Sequence, residues 1–284
     1  MMPSEETPDT AYTYLQAKYA SRAQWDMSMG LQAVDGLEVS SYLQELAEEN
    51  ISGACDFQRI AVLLEEQRQR YAQKSHEADI VASRIAEIIA SQAFSFRPSA
   101  FLSLHRFLFL DVFPFAGKVR ECNIAKKEPV LAGTSVVYAH WTEIHDNLEY
   151  DFEHEAKKSY AQDAVVTCQR ISSFARNIWQ THPFLEGNTR TVAVFLTKYL
   201  QTKGFNVKYA IFAENARFFR NALVRACYAD YTHGIAEESS HLEKFFANAL
   251  FGSEHPLRTR DLICYPLFAK DDPAAIFRET PRKA

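Results

Sequence analysis

Apolar positions recur at helical spacing along most of this chain. Between Arg190 and Lys203, Val192, Phe195, Leu196, Tyr199 and Leu200 fall at i, i+3, i+4, i+7 and i+8, with Gly204 as a fitting stop. Ile80, Ser83, Ile85, Ile88 and Ile89 mark a second amphipathic helix within Ala78–Ala93. Pro98 opens a third, over Ala100–Asp111, carrying Leu102, Leu104, Phe107 and Leu108. Ile171, Phe174, Ala175 and Ile178 form one stripe of a helix expected over Ala161–Trp179, and Ala213–Ala229 and Ser240–Leu250 read as two more. From Gln24 to Leu64 the pattern is helical but broken by Gly30, Gly36 and Gly53, which predicts short helices. The period changes only at residues 119–139, where β-branched residues around Gly133 predict a short extended hairpin. The fold class is mainly α.

The charged run 65–78 is a solvated helix face or a linker, and it sets the first boundary. The organisation read from the chain is an N-terminal helical segment, 1–78, a core, 79–251, and a Pro-containing irregular tail, 252–284. There is no internal repeat or low-complexity tract.

Composition narrows the function classes. The net charge of −5 is unsuited to general phosphate-backbone binding, so no direct nucleic-acid partner is expected. Only 9 residues are Gly, which disfavours a turn-rich sandwich or a Gly-punctuated nucleotide fold. Cys55, Cys122, Cys168, Cys227 and Cys264 form no C-x-x-C pair and read as buried thiols in a reducing compartment. The N-terminus has no basic or apolar leader segment, and no apolar run is long enough to span a bilayer. A cytoplasmic protein without a membrane partner is expected; export by a signal-independent route stays open, as does a homo-oligomer.

Chemistry concentrates in Thr181-His182-Pro183-Phe184-Leu185-Glu186-Gly187-Asn188-Thr189-Arg190-Thr191, between two predicted helices. Pro183 keeps His182 out of a continuing helix and biases it toward extended backbone, so the imidazole stands at a helix end. Gly187 and Asn188 precede a helix whose first N–H groups and dipole make an anion site. Arg190 opposes that dipole at a cost of roughly 0.3–1 kcal/mol, which makes sense beside a bound anion. Glu186 next to an anion suggests a bridging divalent cation, with Mg²⁺ the hard ion of choice. Base, metal ligand, anion cradle and cation together are the parts of a phosphoryl-type transfer site. A His before a Pro is commonly just a helix end, and Glu-Gly-Asn a polar turn; their concentration within nine residues favours function.

HPFLEGNTRT resembles the signature loop of the Fic family (Fic/Doc, Fido), usually written HPFxxGNGRxxR. The similarity extends to AFLSLHRFLFLDVFPFAGKVRECN from Ala100, to FAENARFFRNALVRA from Phe212 and to HLEKFFANAL from His241. The resemblance implies a Fic-type helical bundle with a hairpin flap, and an enzyme that moves AMP from ATP to a Ser, Thr or Tyr hydroxyl of a target protein. It implies that His182 is the general base and that Glu186 holds Mg²⁺ against the phosphates. Gly187, Asn188 and Thr189 would line the anion hole, and Arg190 would pair with the β- and γ-phosphates. Ile124, Ala125, Lys126 and Lys127 would form a flap that docks the target by main-chain pairing, and Phe219 would lie near the adenine. Leu31-Gln32-Ala33-Val34-Asp35-Gly36 is similar to the inhibitory helix of antitoxin partners, with Asp35 and Gly36 at its functional positions, which implies a degenerate regulatory segment fused to its core.

The chain departs from the family pattern at three positions. Thr189 replaces the second Gly, and its hydroxyl could itself touch phosphate; Ala193 replaces the final Arg; Cys227 stands where Asn is common. Other readings are therefore a different nucleotide-derived donor or a nucleotide-binding pseudoenzyme. A zinc hydrolase using His182 and Glu186 is a further rival, weakened by Pro183 and by the lack of a third ligand at a suitable spacing.

Overall fold

The structure, a computed structural model, describes residues 17–70, 75–160 and 163–268. Among the described residues the elements are helical: α1 (Arg22–Gly30), a 3₁₀ turn (Leu31–Asp35), α2 (Ser41–Ser52), α3 (Phe57–Arg70), α4 (His76–Ala90), α5 (Pro98–Phe109), α6 (Ile144–Ala156), α7 (Ala164–Thr181), α8 (Asn188–Thr202), α9 (Tyr209–Glu214), α10 (Ala216–Cys227) and α11 (Ser240–Phe251), with further short 3₁₀ turns. The expected mainly-α class is what forms. None of the helices is long and apolar enough to cross a membrane.

α8 is the central rod, buried from Asn188 through Leu200. Val192, Phe195, Leu196 and Tyr199 meet Phe101, Leu108, Phe152, Phe174 and Phe184 in one aromatic-rich core. A second, smaller core joins Trp25, Leu43, Leu46, Ile60 and Leu64 of the N-terminal helices. α4 is the wall between them. Its Val81, Ile85, Ile88 and Ile89 face the large core, and Ile80, Ala82 and Ala86 the small one. A helix apolar on both sides must be covered on both sides. Met27, Leu31 and Val34 extend the large core into the N-terminal segment, and this brings the 3₁₀ turn against α8 and α10. Gly30 permits the close approach of α1 to α9, because a Cβ there would lie 2.4 Å from the Ala213 carbonyl oxygen.

Two buried polar groups tie the N-terminal segment down. Asn50 accepts from Ala20 N (2.9 Å) and Trp25 Nε1 (3.0 Å), and donates to the carbonyls of Lys18 and Cys55. Asp79 accepts from both the N–H and the hydroxyl of Ser40, each at 2.7 Å. Buried polar atoms must be satisfied in this way to be tolerated.

Several local expectations need correction. The 119–139 hairpin has no regular strands among the described residues. The chain runs out and back around a 3₁₀ turn, Pro129–Leu131, closed by two main-chain bonds, Glu128 N to Thr134 O at 3.3 Å and Gly133 N to Glu128 O at 3.0 Å. Pro129 lacks a donor, and the Ser135 hydroxyl takes the Lys126 N–H (3.1 Å) that a ladder would use. The single helix expected over 213–229 is split at Asn215, which ends α9 through its side-chain bond to Ile211 O (3.0 Å) and starts α10. Four of the five thiols are buried, but Cys122 is exposed; all five are free. Residues 252–268 pass over the 129–131 turn, with Cys264 N donating to Val130 O (2.8 Å), while 269–284 and 1–16 lie outside the described residues.

Candidate functional site

The loop 182–187 joins α7 to α8. His182 closes α7 in the left-handed region, φ 46° and ψ 60°, rather than in the extended region expected before Pro183. That conformation lets its own N–H cap Trp179 O (3.1 Å) while turning its carbonyl to Arg120 Nε (2.8 Å). A non-Gly residue there costs about 1–2 kcal/mol. Arg120 offsets the cost by stapling the turn: its guanidinium also reaches Cys122 O, Ala139 O and Thr181 O, and its N–H donates to Pro183 O.

His182 Nδ1 lies 3.1 Å from Trp179 O. A carbonyl only accepts, so Nδ1 carries the proton and Nε2 presents the lone pair. Nε2 is buried and has no hydrogen-bond partner among the described residues. The ring sits between Tyr138 (4.2 Å between centroids) and the edge of Trp179 (5.2 Å), with the residue 3% exposed. Burial, reinforced by the Lys126 cation, holds its pKa well below the ordinary 6.5, so the imidazole stays neutral.

Gly187 takes φ 81° at the start of α8. A Cβ there would lie 2.6 Å from the Phe109 ring and 3.2 Å from His105 Nε2. Gly187→Ala should therefore destabilise the fold by roughly 2–4 kcal/mol, through overpacking added to left-handed strain. An unchanged urea midpoint would contradict that expectation.

The anion hole is built differently from the expectation. Asn188 turns its amide back into the loop, bonding Phe184 N (3.0 Å) and Phe184 O (2.7 Å). The Thr189 hydroxyl accepts from Trp179 Nε1 (2.9 Å), so it braces the helix end behind His182 instead of facing a phosphate. What remains for an anion is the set of first-turn N–H groups of α8, which helix geometry leaves without intrahelical acceptors. Ala193 is fully buried in the large core. Phe219 is buried against Phe212, Phe245 and Phe246 and does not line the cavity, because α10 turns it inward.

A cavity of about 700 Å³ opens beside the loop, lined by Asp35, Glu77, Lys127, Glu186, Arg190 and Arg220 among others. His182 is not in its lining. The Glu186 carboxylate pairs with Lys126 (2.9 Å), so this flap side chain is drawn into the site. Lys126 therefore serves the site with its side chain, and its N–H is not free for a target strand. Ile124 packs partly against the core.

Arg190 is fully buried and held by three side chains, although its Nε makes no hydrogen bond among the described residues. Its Nη1 donates to Gln32 Oε1 (3.0 Å), its Nη2 to Glu77 Oε1 (2.7 Å), and its Nε lies 2.9 Å from Asp35 Oδ2. The guanidinium also stands 4.8 Å above the Phe109 ring. Asp35 thus meets Arg190, whereas the family pattern would pair it with position 193. The Leu31–Asp35 segment is a 3₁₀ turn ended by Gly36 at φ 71°, held by Arg217 Nε to Ala33 O (3.1 Å). Burial raises the Asp35 pKa, and the Arg190 cation works against that rise.

Sequence reasoning missed His105, Gln32, Glu77 and the roles of Arg120 and Trp179. His105 accepts the Gly117 N–H at Nδ1 (2.9 Å) and gives Nε2–H to Glu186 O (3.0 Å), fixing the carbonyl behind the carboxylate. Burial pushes its pKa down to about 3, so it stays neutral in this role. Its signal was legible: a His beside Leu104 and Leu108 on the apolar stripe of α5. Gln32 and Glu77 carried none, because their partner is remote in sequence.

Residues 95–200 match the model of the Fic/DOC family. Over 108 residues the chain is 28% identical to Protein adenylyltransferase VbhT of Bartonella schoenbuchensis, a match covering 37% of this chain. It spans 21% of that relative, so the chain corresponds to about a fifth of the relative's length. These similarities converge on one conclusion: residues 95–200 of this chain, which hold the loop and α8, belong to the Fic/DOC family.

Proposed function

We propose that this protein is an adenylyltransferase that moves AMP from ATP to a Ser, Thr or Tyr hydroxyl of a target protein. The observation that carries the reading is the protonation pattern of His182: Nδ1–H is committed to Trp179 O, and Nε2 keeps an unshared lone pair one loop away from Glu186 and Arg190. A neutral imidazole so held takes the hydroxyl proton at Nε2 as the hydroxyl oxygen attacks the α-phosphorus and pyrophosphate leaves. The first-turn N–H groups of α8, with Gly187 opening the approach, stabilise charge on the phosphates. Arg190 is the cation for the β- and γ-phosphates.

The residues fit a magnesium ion. Of the three carboxylates that line the cavity, Asp35 and Glu77 face Arg190 and Glu186 faces Lys126, and Mg²⁺ is ordinarily bound through one or two carboxylates together with substrate phosphates. Glu186 would hold it, and the ion would offset phosphate charge.

In the form described, Arg190 is engaged by Gln32, Asp35 and Glu77, and the Tyr138 ring lies against His182. These contacts support an N-terminal regulatory segment that keeps the site inactive. A second reading, a different nucleotide-derived donor or binding without transfer, is favoured by Ala193, which is buried in the core and offers no cation where the family pattern has an Arg.

Intact-mass measurement after incubation with ATP, Mg²⁺ and cell lysate tests the assignment. A gain of AMP on the chain or on a lysate protein is the expected result. A gain of phosphate points to another transfer, and bound nucleotide without any gain to a binding protein.

A further inference from the structure

Four cations line the cavity, and they are engaged in different ways. Arg190 is engaged by Gln32, Asp35 and Glu77. Arg217 uses Nε to hold Ala33 O. Lys127 is a point charge on a flexible stem. Arg220 is anchored by an ion pair: its Nη1 lies 2.7 Å from Glu128 Oε2, and that carboxylate is fully buried. The other Glu128 oxygen accepts from Tyr138 OH (3.3 Å), whose ring lies on His182. Arg220 therefore stands at the joint between the cavity and the base.

We propose that Arg220 is a second phosphate-binding cation of this cavity, receiving the terminal phosphates of a nucleoside triphosphate in a chain that has Ala at position 193. The proposal rests on the nucleotide-transfer reading above. Arginine has five N–H donors in a planar fork, and the Glu128 and Asn221 contacts are both made through Nη1. The same side chain can keep Glu128 and still meet a phosphate. Because Glu128 already orders it, little side-chain freedom is lost on binding. Arg190 carries one positive charge against the two carboxylates of Asp35 and Glu77, so it cannot alone balance a polyphosphate.

Equilibrium binding of ATP and of AMP, with Mg²⁺, to the full chain tests this. Replacing Arg220 alone strands the buried Glu128 charge, so the informative comparison is Glu128→Gln against Glu128→Gln/Arg220→Gln. The double variant should bind ATP about tenfold to a hundredfold more weakly than Glu128→Gln, with AMP affinity within about twofold. Glu128→Gln/Arg220→Lys should recover part of the ATP affinity. A double variant that melts cooperatively and binds ATP as tightly as Glu128→Gln overturns the proposal, and so does equal loss of ATP and AMP. Wild-type protein that binds neither nucleotide overturns the nucleotide-transfer reading itself, and this proposal with it.

Discussion

His182→Ala lowers AMP transfer by about a hundredfold to ten-thousandfold, the range that a positioned general base supplies. The imidazole is held by one bond through Nδ1 and by two aromatic neighbours, so truncation removes the acceptor for the hydroxyl proton without touching Glu186 or Arg190. ATP affinity should change little, placing the loss in kcat. The pH profile is an independent readout. Burial, Lys126, Arg120 and Arg220 all lower the pKa of His182, against one raising contact from Trp179 O. A lowered pKa leaves the base form populated below pH 6.5, with activity lost only as the pH falls through the shifted value. The acid limb of kcat/KM should therefore lie below 6.5. An acid limb at or above that value, or a stable His182→Ala protein with wild-type labelling, would reject His182 as the base.

Asp35→Ala combined with Glu77→Gln is expected to lower KM for ATP about tenfold or more. Each charge-assisted contact that the nucleotide must displace from Arg190 is worth roughly 1.5–3 kcal/mol, and the Asp35 and Glu77 side chains, 26% and 29% exposed, both belong at the low end of that range. The same change leaves Arg190 buried without its anionic partners, so the nucleotide-free protein should melt earlier. ATP should then raise its Tm by more than it raises that of wild type, because ligand binding repairs the unpaired charge. Asp35→Asn is the milder control, keeping the shape of the contact while removing the charge. If KM for ATP and target labelling are unchanged in both variants, the N-terminal contacts are structural and not regulatory.

Elements with strong local periodicity were legible. α8 and α5 form within two residues of their expected limits, since a one-sided apolar stripe needs only its own spacing to be read. The position of the turn at 182–187 was also legible, because Pro183 ends a helix and Gly187 can take the positive φ that opens α8, but the left-handed backbone of His182 was not. The hairpin failed for a reason that spacing does not carry. Ser135 competes for the Lys126 N–H, and Pro129 has no donor to offer, so β-branched residues alone do not make a ladder. Phe219 and Thr189 failed at the level of facing: each residue type was compatible with the assigned role, but helix packing turned one into the core and the other against Trp179.

By itself the sequence determined a mostly helical chain with an imidazole, a carboxylate and a guanidinium crowded around a helix start. That much follows from local periodicity and from the stiffness of Pro and the freedom of Gly. Tertiary structure alone decided what those groups touch. Gln32 and Glu77 reach Arg190 across 158 and 113 residues, and His105 reaches Glu186 across 81. Such pairings depend on how the apolar faces of separate helices are buried against one another, and they are set only when the two cores close around α4.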